Sequence, residues 1–164
     1  MKSIYWYEND KQLLAGEVAA MKKFFPSFKL MKMADGRLYW RGTVNPSGKG
    51  GGMWDLMVIY DNNHPYTNNE DTYGGSIDVY PVKPNLAELQ KKLGNINIPH
   101  IYWKNNYKEA YICTVRANEF KSSATKSSTA AGCLSWACKW IVVFELWLNG
   151  DIPFDSFRTD KHIY

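Results

Sequence analysis

The stretch Ala130–Leu148 constrains the fold most strongly. Apolar residues recur there at helical spacing, and Asn149-Gly150 is a typical end for a helix. The positions with this spacing are Leu134, Ala137, Cys138, Ile141, Phe144, Glu145 and Leu148. Its tryptophans, at 136, 140 and 147, share helical spacing, which is more typical of a core than of a docking surface. Such a helix must pack on another layer, so the sequence predicts a long helix on a sheet.

The first half of the chain predicts that sheet. Residues 28–44 alternate between apolar and polar positions around an Asp35-Gly36 hairpin turn. Residues 54–60 predict a third strand, and residues 76–80 a short fourth strand that Pro81 ends. We therefore expect a four-stranded antiparallel meander.

A helix is predicted before the meander, over residues 9–25. Asn9 or Asp10 can cap it, and Pro26 ends it. Its apolar face is predicted to contain Leu13, Leu14, Val18, Met21 and Phe25. Residues 98–113 show no clear period and are predicted to be irregular. The 164 residues therefore predict a single domain of the α+β class, spanning 1–164.

Composition limits the classes of function. The net charge is +4, too small to indicate nucleic-acid binding. No signal peptide is recognisable, and the apolar run at 141–148 is too short to span a membrane, so we expect a cytoplasmic protein. Three cysteines, Cys113, Cys133 and Cys138, are then expected to be free thiols.

Familiar nucleotide and metal motifs are missing from the sequence. The glycine-rich segment at 45–52 lacks the spacing of a phosphate-binding loop and precedes a strand, so a plain hairpin loop is the better interpretation. His64, His100 and His162 are scattered, and the Cys133/Cys138 spacing matches no zinc pattern. The sequence predicts neither a cofactor nor a metal.

Cys113 is the most distinctive candidate for chemistry. It ends a Tyr-Ile-Cys run after a polar approach and before a polar loop. Reactive groups usually lie on loops, whereas a core cysteine more often lies within a regular element. The residues alone leave three interpretations open. Cys113 can be a reactive thiol, a small buried residue, or the nucleophile of a hydrolase paired with His100 or His64.

Several segments, in order, resemble a known family. They are FFPSFKLMKMADGRLYWRGTV, WDLMVIYDNNHPYT, SIDVYPVKPNL, PHIY followed by YIC, and LSWACKWIVVFELWLNGDIP. With the helix that precedes them they span about residues 9–153 and resemble bacterial ubiquitin-conjugating-like domains. The closest group is the stand-alone conjugating-like protein of type II short CBASS antiphage operons.

The resemblance implies a ubiquitin-conjugating (UBC-like) fold and a catalytic Cys113 that carries a protein C-terminus as a thioester. The implied partner is the C-terminal tail of a cGAS-like nucleotidyltransferase, or of a ubiquitin-like protein in a related operon. No ATP-binding domain is recognisable, so the C-terminus must arrive activated. A binding module without chemistry is the alternative.

Two departures from the family pattern affect the implied site. The Asn of the family's His-Pro-Asn motif is absent, and His100-Ile101-Tyr102 occupies its place. Tyr102 can donate its hydroxyl or only pack, and His100 is expected to hold the loop by hydrogen bonds. The interval before Cys113 is also longer, by the insertion KNNYKEA.

Further residues are named as candidates for partner contact or thiolate support. Trp103 and His64 are candidates for contact with the partner, with a surface turn residue as the favoured alternative for His64. Arg116, Lys121 and Lys126 follow the cysteine and can supply positive charge.

Overall fold

The computed structural model describes residues 2–66, 75–106, 108–114 and 129–159. Its helices are α1 (Trp6–Asn9), α2 (Lys11–Phe24), α3 (Leu86–Leu93), α4 (Ala130–Leu148) and α5 (Phe154–Arg158). Its strands are β1 (Lys29–Lys32), β2 (Leu38–Val44), β3 (Trp54–Tyr60), β4 (Ile77–Lys83), β5 (Ile101–Lys104) and β6 (Glu109–Ile112). The predicted α+β class, N-terminal helix and long C-terminal helix are confirmed.

The sheet is larger than the predicted meander. Six strands lie in the order β1-β2-β3-β4-β6-β5, and every neighbouring pair is antiparallel. The prediction of four strands, with an irregular stretch at 98–113, is therefore wrong. That stretch contains the β5–β6 hairpin, whose turn includes Asn105 and Asn106 at φ values of 53° and 55°. Asparagine tolerates this left-handed conformation, so the Asn-Asn pair was the available turn signal.

The N-terminal helix begins later than predicted, and its apolar face is confirmed at Leu13, Leu14, Met21 and Phe25 but not at Val18. Asp10 caps α2, since its Oδ1 accepts a hydrogen bond from the Leu13 N–H at 2.9 Å. Val18, placed on the apolar face by the sequence, is exposed, whereas Glu17 is buried. Glu17 lies four residues from both Leu13 and Met21, so helical spacing alone could have placed it on the inner face.

Helix α4 is the central core helix. It packs on β4 and contacts α2 and α5. Trp140 is fully buried and stacks on Phe144, and the ring of Trp54 meets both edge-on. Trp136 and Trp147 are partly buried against the same core, which confirms the core interpretation of the three tryptophans.

The length and composition of α4 also meet the criteria for a membrane span, contrary to the estimate from residues 141–148. Within the protein, however, this helix supplies nine buried residues. The core therefore accounts for the apolar character of α4 without a membrane.

The glycine-rich segment is a loop between β2 and β3, as predicted. The Ser47 hydroxyl and the Gly52 N–H donate hydrogen bonds to the carboxylate of Glu145 on α4, at 3.0 and 2.7 Å. The Gly52 N–H is thus already bonded to the Glu145 carboxylate, so this donor does not face a phosphate. The loop instead fastens the β2–β3 connection to the core helix.

A candidate thiol site at the end of the β5–β6 hairpin

Cys113 lies directly after β6, where the hairpin ladder continues by one more hydrogen bond. Its N–H donates to the carbonyl oxygen of His100 at 2.9 Å. Ile101 pairs with Ile112 and Tyr102 with Tyr111, so Cys113 stands opposite His100. The backbone of the cysteine is thus fixed by the strand that precedes the hairpin turn, although residues 100 and 113 are far apart in sequence.

Tyr102 is the side chain that contacts the thiol. It lies diagonally across the hairpin from Cys113, on the same face, because side chains alternate along a strand. The Cys113 thiol donates a hydrogen bond to the Tyr102 hydroxyl, with 3.1 Å between sulfur and oxygen. A tyrosine hydroxyl both donates and accepts, so the same contact can donate to a thiolate. Cys113 itself is buried, with 6% of its surface exposed.

His100 is held from the other side by the C-terminal helix. Its Nε2 lies 2.9 Å from the carbonyl oxygen of Phe157, and a carbonyl only accepts, so Nε2 carries the proton. Its backbone adopts φ 59°, a left-handed conformation that costs energy for a residue with a side chain. Phe157 is fully buried among α4 aromatics. The sequence offered no signal for this contact, since α5 is short and lies far from His100 along the chain.

His64 lies in the turn that follows β3, but its side chain points into the core, so both surface roles proposed for it from sequence require correction. Its side chain is fully buried. Its Nδ1 is 2.8 Å from the Ser76 hydroxyl, and the rings of Trp6 and Tyr60 pack against it. Its Nε2 lies 3.6 Å from Glu17 Oε1, too far for a hydrogen bond, and has no hydrogen-bond partner among the described residues. A buried imidazole cannot contact an incoming chain in this conformation.

A cleft of about 570 Å³ lies beside Tyr102. Its lining includes Trp103, Lys104, Asp78 and Tyr111. Trp103 belongs to β5 of the hairpin, and its partly buried side chain packs against the core. The Lys104 ammonium lies 2.6 Å from a carboxylate oxygen of the buried Asp78 and 4.9 Å from the centre of the Tyr111 ring. Burial favours the neutral amine, but the Asp78 carboxylate outweighs it and raises the pKa of Lys104 above its usual value.

The two helix cysteines are poor candidates for nucleophilic chemistry. Burial raises the pKa of Cys133 to about 12 and that of Cys138 to about 11. Since the thiolate is the nucleophile, both thiols are unreactive at neutral pH. This leaves Cys113, with a hydroxyl at its sulfur, as the thiol best placed for chemistry. The cations predicted to support it, Arg116, Lys121 and Lys126, and the remaining histidine, His162, lie outside the described residues.

An N-terminal helix, an antiparallel sheet and a long core helix after Cys113 agree with the fold that the resemblance to the conjugating class implies. The family model described as "Type II CBASS E2 protein" matches residues 17–152. The chain belongs to this family, which implies a UBC-like fold and an E2-like conjugation role in antiphage defence. No curated protein and no solved structure matches the chain.

Proposed function

We propose that Cys113 carries the C-terminus of a cGAS-like nucleotidyltransferase as a thioester and passes it to an amine. Membership of the type II CBASS E2 family supports the class of reaction and the partner. The observation that carries the residue assignment is the 3.1 Å contact between the Cys113 sulfur and the Tyr102 hydroxyl.

The chemistry proceeds in two acyl transfers. The Cys113 thiolate attacks the activated C-terminal carbonyl, a carbon–sulfur bond forms, and the activating group leaves with its electron pair. An acceptor amine then attacks the thioester, the carbon–nitrogen bond forms, and the thiolate departs while the amine loses its proton to water. In this proposal the C-terminus reaches Cys113 already activated.

Tyr102 supplies the donor in this proposal. Both steps pass through an oxyanion, which needs a preorganised hydrogen-bond donor close to the sulfur. The Tyr102 hydroxyl lies 3.1 Å from the Cys113 sulfur, which supports this role for it in place of the family asparagine. His100 acts through position alone, since its carbonyl oxygen accepts from the Cys113 N–H and its ring binds the Phe157 carbonyl.

A binding module without chemistry is the second candidate function. One observation favours it, since Cys113 exposes only 6% of its surface and its sulfur already has a hydrogen-bond partner. Such a module would hold the nucleotidyltransferase tail without forming a covalent bond. A test of covalent chemistry therefore separates the two functions.

The test supplies the activated tail directly. A synthetic peptide with the C-terminal sequence of the neighbouring nucleotidyltransferase, prepared as a mercaptoethanesulfonate thioester, is mixed with the purified protein and analysed by intact mass under non-reducing conditions. We expect an adduct of peptide mass that dithiothreitol removes. Cys113→Ala should abolish it, and Cys113→Ser should give an oxyester that resists dithiothreitol.

Cys138→Ser is the matched control, since this second thiol is only partly exposed and should not affect loading. A Cys113→Ala protein that still forms the adduct would contradict the assignment. Wild-type protein that binds the peptide but never forms an adduct would favour the binding module. If the thioester of a ubiquitin-like C-terminal peptide loads in preference to that of the nucleotidyltransferase peptide, the partner is a ubiquitin-like protein from a related operon.

A further inference from the structure

The net positive charge of the chain is concentrated in one segment. Residues 18–34 contain four lysines and no acidic residue. The whole chain has a net charge of +4, from 20 basic and 16 acidic residues, so the remainder is balanced. The segment forms the end of α2 and the strand β1.

These lysines gather around one edge of the sheet. Lys22 and Lys23 end α2, Lys29 and Lys32 lie on β1, and all four are exposed. Among the described residues none of them forms an ion pair, and two lie over aromatic rings. Lys23 lies 5.2 Å from the Phe24 ring centre and Lys32 lies 5.3 Å from that of Tyr7.

β1 is an edge strand whose outer backbone groups point away from the sheet. In the described part of the chain it pairs only with β2, and its four residues are exposed. The Met33 N–H donates to the Arg37 carbonyl at 2.8 Å, just beyond the paired residues Lys32 and Leu38. In an antiparallel pair, every second residue of a strand bonds to the neighbouring strand. Since Met33 bonds to Arg37, the backbone groups of Met31 and Lys29 also face β2. The N–H and C=O groups of Leu30 and Lys32 therefore point outward.

Large apolar side chains accompany this open edge. Phe24 is 61% exposed, Met31 is 46% exposed and Leu30 is 37% exposed. Natural proteins usually protect an edge strand with charged residues and keep such side chains away from it. Here each face of β1 carries one lysine and one apolar residue, Lys29 with Met31 and Lys32 with Leu30, so an added strand can cover apolar side chains on both faces.

We propose that the β1 edge binds an acidic, extended segment of a partner protein as an additional strand. The backbone groups of Leu30 and Lys32 hold the segment, its acidic side chains meet the lysines, and its apolar side chains cover Leu30 and Met31. A second copy of β1 brings the same positive charges and is repelled. β1 and β5 lie at opposite edges, about 24 Å apart at the usual strand spacing, so this surface is independent of the thiol site.

The test uses short fluorescein-labelled peptides and fluorescence anisotropy with the full chain. A peptide of repeated Glu-Val-Val-Glu, which matches the spacing of Lys-Leu-Met-Lys in β1, should bind, and added salt should weaken the binding. A peptide of repeated Lys-Val-Val-Lys should not bind. Leu30→Pro removes an outward N–H together with the Leu30 side chain and should weaken the Glu peptide by about tenfold, whereas Leu30→Ala removes the side-chain contact alone and should weaken it less.

Charge reversal tests the lysines separately. Lys29→Glu with Lys32→Glu should abolish binding of the Glu peptide, while the matched pair Lys91→Glu with Lys92→Glu, exposed on α3, should leave it unchanged. Circular dichroism checks that each variant is folded, and the Lys29/Lys32 variant keeps the test decisive if Leu30→Pro does not fold. Cys113→Ala should bind as the unmodified protein does, so failure here is distinguishable from failure of the thioester proposal.

Three results would overturn the proposal. The first is binding of the Lys peptide as tightly as the Glu peptide. The second is binding of the Glu peptide that survives both Leu30→Pro and the Lys29/Lys32 charge reversal, and the third is loss of that binding in Cys113→Ala. Binding to phosphatidylserine vesicles without any peptide binding would assign the lysines to a membrane surface instead. A dimer in sedimentation that Leu30→Pro dissociates would assign the edge to a second copy of the chain.

Discussion

The carboxylate of Glu17 accepts a hydrogen bond from the backbone N–H of Ala130, the first residue of α4, at 3.0 Å. The same oxygen accepts the Tyr60 hydroxyl at 2.7 Å, and that hydroxyl accepts the Trp40 indole N–H at 2.8 Å. One buried side chain therefore joins the N-terminal helix, two strands and the start of the core helix. Removal of the Glu17 carboxylate leaves the Tyr60 O–H and the Ala130 N–H without this acceptor.

We therefore expect Glu17→Ala to lower the free energy of unfolding by about 2–4 kcal/mol. Urea unfolding followed by tryptophan fluorescence measures the change. The control is Glu8→Ala, an exposed carboxylate on α1, which should shift stability by less than about 0.5 kcal/mol. A Glu17→Ala protein as stable as the control would show that the network contributes little.

Stability should fall in acid, partly through Glu17. Burial alone would raise the pKa of Glu17, but the nearby His64 imidazole and the hydrogen bonds from Tyr60 and Ala130 hold it below its ordinary value of 4.5. The unfolded chain therefore takes up the proton more readily than the folded one. The contribution of ionised Glu17 to the free energy of unfolding is complete above about pH 4.5 and is lost as the pH falls through the folded-state pKa. Urea midpoints between pH 3 and 7 should decline less steeply for Glu17→Gln than for the unmodified protein. Equal slopes would contradict the assignment.

Tyr102→Phe should slow thioester formation by about tenfold without unfolding the protein. The change removes the hydroxyl 3.1 Å from the Cys113 sulfur, and one hydrogen bond to a charged group contributes about 1.5 kcal/mol. The measurement is the rate of peptide-thioester loading by mass spectrometry. Tyr39→Phe, on β2, should load at the unmodified rate, and an unaffected Tyr102→Phe would mean that the hydroxyl only packs.

Substitutions of His100 should separate its hydrogen bond from its bulk. His100→Gln can place an amide N–H near the position of Nε2 and keep the bond to the Phe157 carbonyl, whereas His100→Leu cannot. We expect loading of the peptide thioester to fall several-fold in His100→Leu and to recover in His100→Gln. If both variants lose activity equally, the imidazole has a role beyond position.

Alkylation should distinguish the three cysteines. With pKa values of about 12 and 11, Cys133 and Cys138 are ionised at pH 8 only to about 10⁻⁴ and 10⁻³. Brief treatment of the folded protein with iodoacetamide, followed by peptide mass spectrometry, should leave both unmodified. Guanidinium should make all three react, and early labelling of Cys133 in the folded protein would contradict the buried assignment.

The spacing of apolar residues along the sequence predicted those helices and strands in which it repeats regularly. The apolar spacing of α4, the Asp35-Gly36 turn and the three regular strands β1, β2 and β3 all lie close to their predicted bounds. The β5–β6 hairpin was missed because its strands have four residues each, too few to show a period. His64 was misplaced because polar residues near a turn are usually exposed, and only long-range packing reveals a buried one.

The sequence by itself determined the α+β class, the long core helix and, through the order of its motifs, the family, and it singled out Cys113 as the candidate nucleophile. Only the tertiary structure decided what surrounds that cysteine. Tyr102 reaches the sulfur through antiparallel register, and His100 is held by Phe157 through the docking of α5. Periodicity and turn chemistry act over a few residues, whereas these contacts arise when distant segments pack together.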